Sequence, residues 1–419
     1  MGDFRVGAVG GIVIHSLRRL PVLTLAAASM SCGRVPHAED ALTVRAARLG
    51  QELLLVDTHI DVPYRLLGSP DNVALATPKG DFDYPRARAG GLDVAFMSIY
   101  VPADYQEKGG AFVFAGQLIG MVEGLVRDHP DQFVLATSVA DVRREAGQGH
   151  VVFALGMENG APLEQDPKNV RHFHERGIRY ITLTHSKANQ IADSSYDEMR
   201  PWGGLSPFGR EVVAEMNRVG MMVDVSHVSD EAARQAIELS TAPVIASHSS
   251  CRHFTPGWER NLSDELIVAV AERGGVVQIN FGSSFIDDAY RLARKAGSDE
   301  LERYFKAQGI DETSGAGRDY SEAYWREHRL ARPDVRRVAD HIDHVVRIAG
   351  VDHVGLGSDF DGVGDSLPEG LRDVSQYPNL IRELLARGYG EEDLRKICGE
   401  NLLRVWTEVE RLAARSSAG

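Results

Sequence analysis

The 419-residue sequence has few cysteines, and their scarcity limits what can hold the fold together. Cys32, Cys251 and Cys398 are too few for the disulfide framework of a small secreted domain, and their spacing matches no zinc-ribbon pattern. A bridge between Cys251 and Cys398 stays open, because sequence alone does not define pairing. Apolar residues make up 43% of the chain, which is enough for a sizeable hydrophobic core.

The sequence also lacks an excess of positive charge. Lys and Arg number 46 against 60 Asp and Glu, which gives a net charge of −14. Proteins that bind nucleic acid need basic residues to neutralise the phosphates. We therefore expect no nucleic-acid partner.

The apolar run near the N-terminus, residues 20–30, is too short to span a membrane as a helix. Arg18 and Arg19 come directly before this apolar run. Cys32 comes after it, between the small residues Ser31 and Gly33. Positive charges, a short apolar run and small residues are typical of a bacterial export signal. Residues 1–31 are therefore predicted to direct export to the periplasm or the cell envelope.

Cys32 is a candidate lipid-attachment residue that would tether the protein to a membrane. The three residues before it, 29–31, read Ser-Met-Ser and match the usual Leu-Ala-Gly pattern poorly. Two other interpretations stay open, a plain secretory signal and an extended start on a cytoplasmic enzyme.

Eight short apolar runs, each ending in polar or ionisable residues, recur along the rest of the chain. They are 53–61, 92–101, 150–159, 178–185, 220–227, 243–248, 274–281 and 353–361. Segments with helical periodicity lie between most of them, for example 208–218, 230–239 and 263–272. Strands that alternate with helices form parallel βαβ units, and eight units predict an α/β fold, a closed (β/α)8 TIM barrel. We expect one domain over residues 32–419.

Residues from about 285 to 335 interrupt this rhythm before the last strand. The segment is highly charged with interspersed Leu and Tyr, which predicts a helical insertion. It could lie over the mouth of the barrel and reshape substrate choice. The stretch 391–411 has the pattern of closing helices.

Six of the eight runs end on His, Asp or Glu. The residues concerned are His59, Asp61, Glu158, His185, His227, His248 and Asp359. The carboxyl ends of barrel strands meet at the face where active sites lie. Imidazole and carboxylate groups are ligands that suit zinc and related divalent ions. One His-x-Asp pair or one histidine would be weak evidence, but the whole set predicts a metal site.

Seven short motifs occur in order within residues 50–408. They are VDTHID at 56–61, GMENG at 156–160, LTH at 183–185, DVSH at 224–227, SHSS at 247–250, RN at 260–261 and GSDFDG at 357–362. As an ordered set they resemble the membrane (renal-type) dipeptidases of the metal-dependent amidohydrolase superfamily. The set is far more specific than any single motif.

This resemblance implies which residues hold metal. His59 and Asp61 would bind one zinc ion. His227 and His248 would bind a second. Glu158 would bridge the two ions through its two carboxylate oxygens. Other branches of the superfamily often use a modified lysine as the bridge, and none of the eight runs ends on lysine.

The resemblance also implies which residues handle the substrate. His185 would orient or polarise the scissile carbonyl, Arg260 would pair with the substrate's carboxylate, and Asp359 would transfer the proton. Without this context Arg260 would be read as a surface salt bridge and Asp359 as a turn residue. Asp224 and Asp361 are candidates for orienting ligands, with ordinary strand-end roles equally open.

The resemblance therefore implies a binuclear zinc dipeptidase acting on small dipeptides with a free C-terminal carboxylate, including those with a D-residue on the carboxyl side. Two alternatives stay open. One is another amidohydrolase activity, such as lactone or N-acyl amino acid hydrolysis. The other is a non-catalytic envelope binding protein, which would have no need of Asp359 as a proton-transfer group. A homodimer also stays open, because no interface can be read.

Overall fold

The computed structural model describes residues 38–312 and 314–418, in which strands alternate with helices. The strands are β1 Leu55–Ile60, β2 Leu92–Tyr100, β3 Phe133–Leu135, β4 Val151–Glu158, β5 Ile178–Thr182, β6 Met222–Asp224, β7 Ile245–Ala246, β8 Val276–Ile279 and β9 Val354–Leu356. The helices of the first half are α1 Ala38–Glu52, α2 Val62–Gly68, α3 Tyr84–Gly90, α4 Tyr105–Lys108, α5 Ala111–Asp128, α6 Val139–Glu145, α7 Lys168–Glu175 and α8 Pro207–Val219. Those of the second half are α9 Asp230–Leu239, α10 Asp264–Glu272, α11 Ser283–Ile286, α12 Asp288–Gln308, α13 Gly315–Glu327, α14 Val335–Ala349, α15 Tyr377–Ala386, α16 Glu391–Arg395 and α17 Asn401–Ala418. A π-helical turn, Lys396–Glu400, joins the last two.

The eight predicted strands form one parallel barrel. Their order is β1-β2-β4-β5-β6-β7-β8-β9, and neighbouring strands are hydrogen-bonded in parallel. Two backbone bonds join β1 to the segment after β9. The amide of Asp61 donates to the carbonyl of Phe360 (2.9 Å), and the amide of Asp359 donates to the carbonyl of His59 (3.0 Å). The predicted (β/α)8 TIM barrel is confirmed.

A ninth strand, β3, was not predicted. It pairs only with the first half of β4, while β5 pairs with the second half of the same strand. A run of three residues is too short to show an alternating pattern. It therefore lies beside the barrel without changing its strand order.

Large aromatic side chains fill the interior of the barrel toward the amino end of the strands. The ring of Phe96 packs 5.7 Å from that of Tyr180 and 5.5 Å from that of Trp406, measured between centroids. Trp406 lies on α17 and is fully buried. On the same helix, the side-chain amide of Asn401 donates to the carbonyl of Val354 at the start of β9 (2.8 Å). Helix α17 thus closes the amino end, and the carboxyl end stays open.

The segment expected to be a helical insertion contains α12 and α13, which we call the α12–α13 hairpin. The rings of Tyr304 and Tyr320 stack across it at 4.2 Å. A Cβ at Gly297 would lie 2.4 Å from the ring of Trp325, so the two helices are in close contact there. Among the helices of the described ranges, none has the length and apolarity required for a membrane span.

The bridge left open between Cys251 and Cys398 is not formed, and both thiols are free and buried. Cys251 follows β7 at the carboxyl end of the barrel, where its amide binds Nδ1 of His341 (3.0 Å). Cys398 lies in the π-helical turn near Leu54, before β1. The two cysteines are therefore at opposite ends of the barrel. The predicted export signal and Cys32 lie outside the described residues.

Candidate active site

The residues predicted to form a site converge at the carboxyl end of the barrel. His59 and Glu158 belong to β1 and β4 themselves. The others follow a strand end within three residues, and they are Asp61, His185, His227, His248 and Asp359. Parallel strands present their ends at one face, so residues far apart in sequence meet there.

Glu158 lies at the centre of this group, and its two oxygens face different partners. Oε2 is 3.4 Å from Nε2 of His59. Oε1 is 3.0 Å from Nε2 of His227 and 3.3 Å from Nε2 of His248. Nε2 of His185 is 3.6 Å from the same Oε1. A carboxylate placed in this way can contribute one oxygen to each of two cations.

Asp61 and Asp359 complete the side of the group that faces His59. Nε2 of His59 is 3.5 Å from Oδ2 of Asp61, and ligand atoms of all three residues lie within 4.8 Å of one another. A Cβ at position 362 would lie 2.2 Å from Oδ1 of Asp359 and 2.2 Å from Oδ2 of Asp61. Gly362 therefore leaves the space in which the two carboxylates approach each other.

Unpartnered polar atoms indicate that the group fits metal ions. Nε2 of His59 and Oδ1 of Asp61 are buried, and neither has a hydrogen-bond partner among the described residues. Buried polar atoms without a partner are rare in proteins. His59 and His248 also form a ligand-spaced group with Glu158, and His185 and His227 form another with the same carboxylate. Cations placed between these atoms would satisfy them, and imidazole with carboxylate is a donor set that suits zinc.

Electrostatics keep Glu158, His227 and His248 in the protonation states that bind metal. His59 differs, because burial would lower its pKa but Tyr180, Glu158 and Asp61 raise it well above that of a free imidazole. Burial would raise the pKa of Glu158, but the nearby His59 and His185 hold it well below its usual value. Burial lowers the pKa of His227 and of His248 well below that of a free imidazole. An ionised carboxylate and neutral imidazoles are the ligating forms.

Hydrogen bonds to Nδ1 turn the imidazoles toward Glu158. The hydroxyl of Tyr180 lies 2.8 Å from Nδ1 of His59, and the hydroxyl of Ser247 lies 2.7 Å from Nδ1 of His248. Asp224, a predicted orienting residue, accepts from the amide of Ser247 (2.8 Å). With Nδ1 engaged, Nε2 is the atom left for a metal.

Two residues that position site side chains were not predicted from the sequence. Tyr180 lies in the middle of β5, where it reads as a core residue. Asn280 follows β8, and its side-chain amide donates to Oδ2 of Asp359 (2.7 Å). The run 274–281 has this polar residue next to its end, but an amide is neither ionisable nor a usual zinc ligand, so Asn280 gave no metal-site signal.

Asp359 is buried beside other acids. Burial, together with the charges of Asp61 and Glu158, raises the pKa of Asp359 to about 7, against the opposing effect of His59. Asp361, two residues on, forms an ion pair with Arg65 (2.9 Å). Asp361 thus anchors the loop after β9.

Arg260 is buried behind two of the histidines. Its guanidinium donates to the carbonyl of His248 (2.9 Å) and to the hydroxyl of Ser249 (2.8 Å), and Nη2 is 3.0 Å from Nε2 of His227. Its Nε has no hydrogen-bond partner in the described part of the chain. The side chain is only 2% exposed, so its charge acts at short range on whatever binds beside it.

Two site residues hold a backbone conformation that favours glycine. His227 has φ 67° and Asp359 has φ 65°. Residues other than glycine in this region cost on the order of 1–3 kcal/mol, and such strain clusters at functional sites. Each lies just beyond a strand end, where the sharp reversal directs its side chain into the site.

A cavity of about 650 Å³ opens above the group. Its wall includes aromatic side chains and one basic side chain from the α12–α13 hairpin. The aromatic residues are Tyr64, Tyr100, Tyr196 and Phe285, and the basic residue is Arg294. A cavity of this size accommodates a small molecule.

Comparisons with known proteins agree with this geometry. The model of the membrane dipeptidase family (peptidase family M19) matches residues 43–419. The chain is 37% identical over 341 residues to the dipeptidase aclJ of Aspergillus oryzae, covering 80% of this chain and 71% of that protein.

Solved structures of dipeptidases and related peptidases are also similar to this chain. The probable dipeptidase PvdM from Pseudomonas aeruginosa superposes with a TM-score of 0.76 at 28% identity, covering 89% of this chain and 99% of that chain. A metallo peptidase from Rhodobacter sphaeroides, solved with a phosphinate mimic of the dipeptide L-Ala-D-Ala, superposes with a TM-score of 0.69 at 27% identity. This second match covers 85% of this chain and 99% of that chain.

Proposed function

Because the chain belongs to the membrane dipeptidase family, peptidase family M19, and is a metal-dependent dipeptidase, we propose that it uses two zinc ions to hydrolyse small dipeptides with a free C-terminal carboxylate, including those with a D-residue on the carboxyl side. The observation that carries this proposal is the position of Glu158, whose two oxygens face His59 on one side and His227 with His248 on the other.

One zinc ion would be held by His59 and Asp61, the other by His227 and His248, with Glu158 shared. Bound zinc supplies Lewis acidity, which polarises the amide carbonyl and makes water acidic enough to react near neutral pH. The first ion is supported by the ligand-spaced atoms of His59 and Asp61. The second is supported by Nε2 of His227 and Nε2 of His248, which lie 2.9 Å apart and 3.0 and 3.3 Å from Oε1 of Glu158.

The protein's own side chains would perform the remaining tasks. His185 lines the cavity and has a buried Nδ1 without a hydrogen-bond partner among the described residues, so it would orient the scissile carbonyl. Asn280 holds Oδ2 of Asp359, which would leave Oδ1 to take a proton from the attacking water and return it to the leaving amine. Arg260 would bind the C-terminal carboxylate, because a planar guanidinium matches two carboxylate oxygens.

The acceptance of a D-residue is supported by a relative. The Rhodobacter sphaeroides metallo peptidase was solved with a mimic of L-Ala-D-Ala, and it aligns with 85% of this chain.

The direct test is hydrolysis of a panel of dipeptides, each in L,L and L,D forms, by enzyme loaded with zinc and by enzyme treated with a chelator. We expect cleavage of both stereochemical forms, activity lost on chelation, and two zinc ions per chain by elemental analysis. Undiminished activity after chelation, or one bound ion, would contradict the binuclear mechanism.

Arg260 separates this function from lactone or N-acyl amino acid hydrolysis. A dipeptide and its C-terminal amide differ only in the group that Arg260 would bind. We expect wild-type enzyme to prefer the free acid by about 10- to 100-fold in kcat/KM, as for hydrogen bonds to charged groups. Arg260→Met should lose most of this preference through KM, and Arg260→Lys should lose less. A lactone hydrolysed better than any dipeptide would favour the alternative.

We further propose that residues 1–31 direct export and that Cys32 is then lipidated. Cell fractionation and mass spectrometry of the mature N-terminus test both, with Cys32→Ser as the comparison. A full-length cytoplasmic protein would contradict the proposal.

A further inference from the structure

The α12–α13 hairpin brings one arginine to the substrate cavity. Arg294 of α12 lines this cavity together with Glu158, His185 and Asp359, and it is the one Lys or Arg among the described residues that form its wall. The same side chain lines a second cavity of about 820 Å³ between α12, α13 and the loop that carries Asp365. Arg294 therefore stands where the hairpin meets the active site.

Arg294 packs against a side chain of the neighbouring helix α13. Its guanidinium carbon lies 3.8 Å from the centroid of the Trp325 ring on α13, a cation–π contact. Gly297 is one turn further along α12, and a Cβ there would lie 2.4 Å from the same ring. Trp325 can lie flat against α12 because position 297 is glycine. The Trp325 ring thus supports one face of the guanidinium in the absence of a ligand.

The charge of Arg294 has no ion-pair partner within the part of the chain that the structure describes. Asp365 is near it, but this carboxylate is already paired with Arg332 (2.6 Å) and with Arg372. Arg294 is also partly buried. A partly buried guanidinium that faces a substrate cavity and has free donors is suited to bind a carboxylate.

The other charged groups of the cavity wall already have partners or would have them in the metal-loaded enzyme. Asp61, Glu158 and Asp359 would face the metal ions, and Asp361 is paired with Arg65. Arg294 would therefore be the side chain of the wall that is left to bind an acidic substrate side chain. Arg260 is buried behind the histidines and is engaged with His248 and Ser249, so the two arginines would serve different carboxylates.

On this basis, and resting on the dipeptidase function proposed above, we propose that Arg294 is a specificity residue that binds a side-chain carboxylate of the substrate. The enzyme then prefers dipeptides with an acidic side chain over dipeptides with a neutral side chain of the same shape.

The experiment compares Glu with Gln, which differ in charge and hardly in size. Four dipeptides are used, Ala-Glu, Ala-Gln, Glu-Ala and Gln-Ala, each in L,L and L,D forms. The readout is the ratio of kcat/KM for the Glu form to kcat/KM for the Gln form at each position. A loss of activity common to both forms cancels in this ratio, so a purely structural defect does not move it.

We expect a ratio of about 10 to 100 at one of the two positions for wild-type enzyme, from the strength of hydrogen bonds between charged groups. In Arg294→Gln this ratio should fall to about one, and in Arg294→Lys it should be intermediate. Arg303→Gln removes the same charge from an exposed position of α12 and should keep the wild-type ratio.

Each outcome separates this inference from the function on which it rests. Wild-type ratios near one at both positions, or a ratio that Arg294→Gln leaves unchanged, would overturn the role of Arg294 while dipeptide hydrolysis stands. An equal fall in Arg303→Gln would overturn it too, since it would show a long-range charge effect. Failure of the zinc-loaded wild-type enzyme on all of the dipeptides would overturn the proposed function and this inference together.

Discussion

At the scale of single residues, Asp359 has the most unusual surroundings in the site. It is buried next to Asp61 and Glu158, it holds a left-handed backbone, and one of its oxygens is bound by Asn280. A carboxylate that only capped a turn would not need to be placed among other acids, where repulsion costs energy. This placement is understandable if Asp359 exchanges a proton with the substrate.

We predict that Asp359→Asn lowers kcat by about 100- to 10,000-fold, the usual contribution of a general acid–base group. The amide has the same shape as the carboxylate but cannot take up the proton. Steady-state kinetics with a zinc-loaded dipeptidase assay, together with elemental analysis of the variant, measures the effect and shows whether zinc content is preserved.

The matched control is Asp352→Asn. Asp352 is exposed and pairs with Lys396 at the other end of the barrel, so the control should retain wild-type kcat. An Asp359→Asn enzyme with full zinc content and undiminished turnover would exclude Asp359 as the proton-transfer group.

At the scale of elements, the neighbouring strands β4 and β5 are in unusually close contact at one pair of residues. Gly156 of β4 lies opposite Tyr180 of β5, and a Cβ at position 156 would be 1.9 Å from its ring. The hydroxyl of Tyr180 contacts Nδ1 of His59 and donates to the carbonyl of Thr58 (2.9 Å). The packing between two strands thus sets the orientation of a predicted metal ligand on a third.

We predict that Gly156→Ala lowers the free energy of unfolding by about 1–3 kcal/mol, the usual cost of overpacking. It should also weaken zinc binding, because a displaced Tyr180 no longer orients His59. Denaturant unfolding and zinc titration measure the two effects.

Gly120→Ala is the matched control for this substitution. Gly120 is an exposed position of α5, and a Cβ there would have no other atom within 4 Å, so alanine should raise stability by about 0.5–1 kcal/mol through helix propensity. Equal stability changes in the two variants would show that the contact with Tyr180 is not the cause.

The elements that could be predicted from sequence were those with a clear apolar pattern. The run 53–61 predicted β1 and the segment 230–239 predicted α9, because buried faces repeat at the period of their element. Strand β3 has too few residues to show a period. The bounds of β6 and β7 are shorter than their apolar runs, since residues after a strand end are also buried in the barrel mouth.

The site was predictable to the extent that it depends on strand ends. His59 and Glu158 meet because parallel strands end at one face, which topology alone dictates. Tyr180 could not be identified, because a tyrosine in mid-strand has the pattern of core. Arg294 could not be identified either, since a charged helix does not reveal which of its faces meets the cavity.

At the scale of the whole molecule, three acidic side chains lie close together where β1 meets the loop after β9 and the barrel closes. Asp61 and Asp359 come from the two segments joined by backbone bonds between β1 and the loop after β9, and Glu158 enters from β4. Three carboxylates in one buried group repel one another unless cations lie between them. Metal loading should therefore stabilise the entire domain.

We predict that removal of metal by a chelator lowers Tm by several degrees and that added zinc restores it. Binding to the folded state alone contributes about 4 kcal/mol when free zinc is about a thousandfold above its Kd. Differential scanning fluorimetry measures the shift. His227→Gln, which lacks one proposed ligand, should show a smaller response, and a Tm that chelation does not change in wild-type protein would contradict the prediction.

The left-handed backbone at Asp359 has a practical consequence. Glycine adopts φ near 65° without steric cost, so Asp359→Gly removes the carboxylate while leaving the loop relaxed. The vacated space lies beside Asn280, which can still donate a hydrogen bond. Formate is small enough to enter it and supplies the missing acid, so turnover of this variant should rise with formate concentration. The enzyme would then operate by chemical rescue, with its activity controlled by an added small molecule.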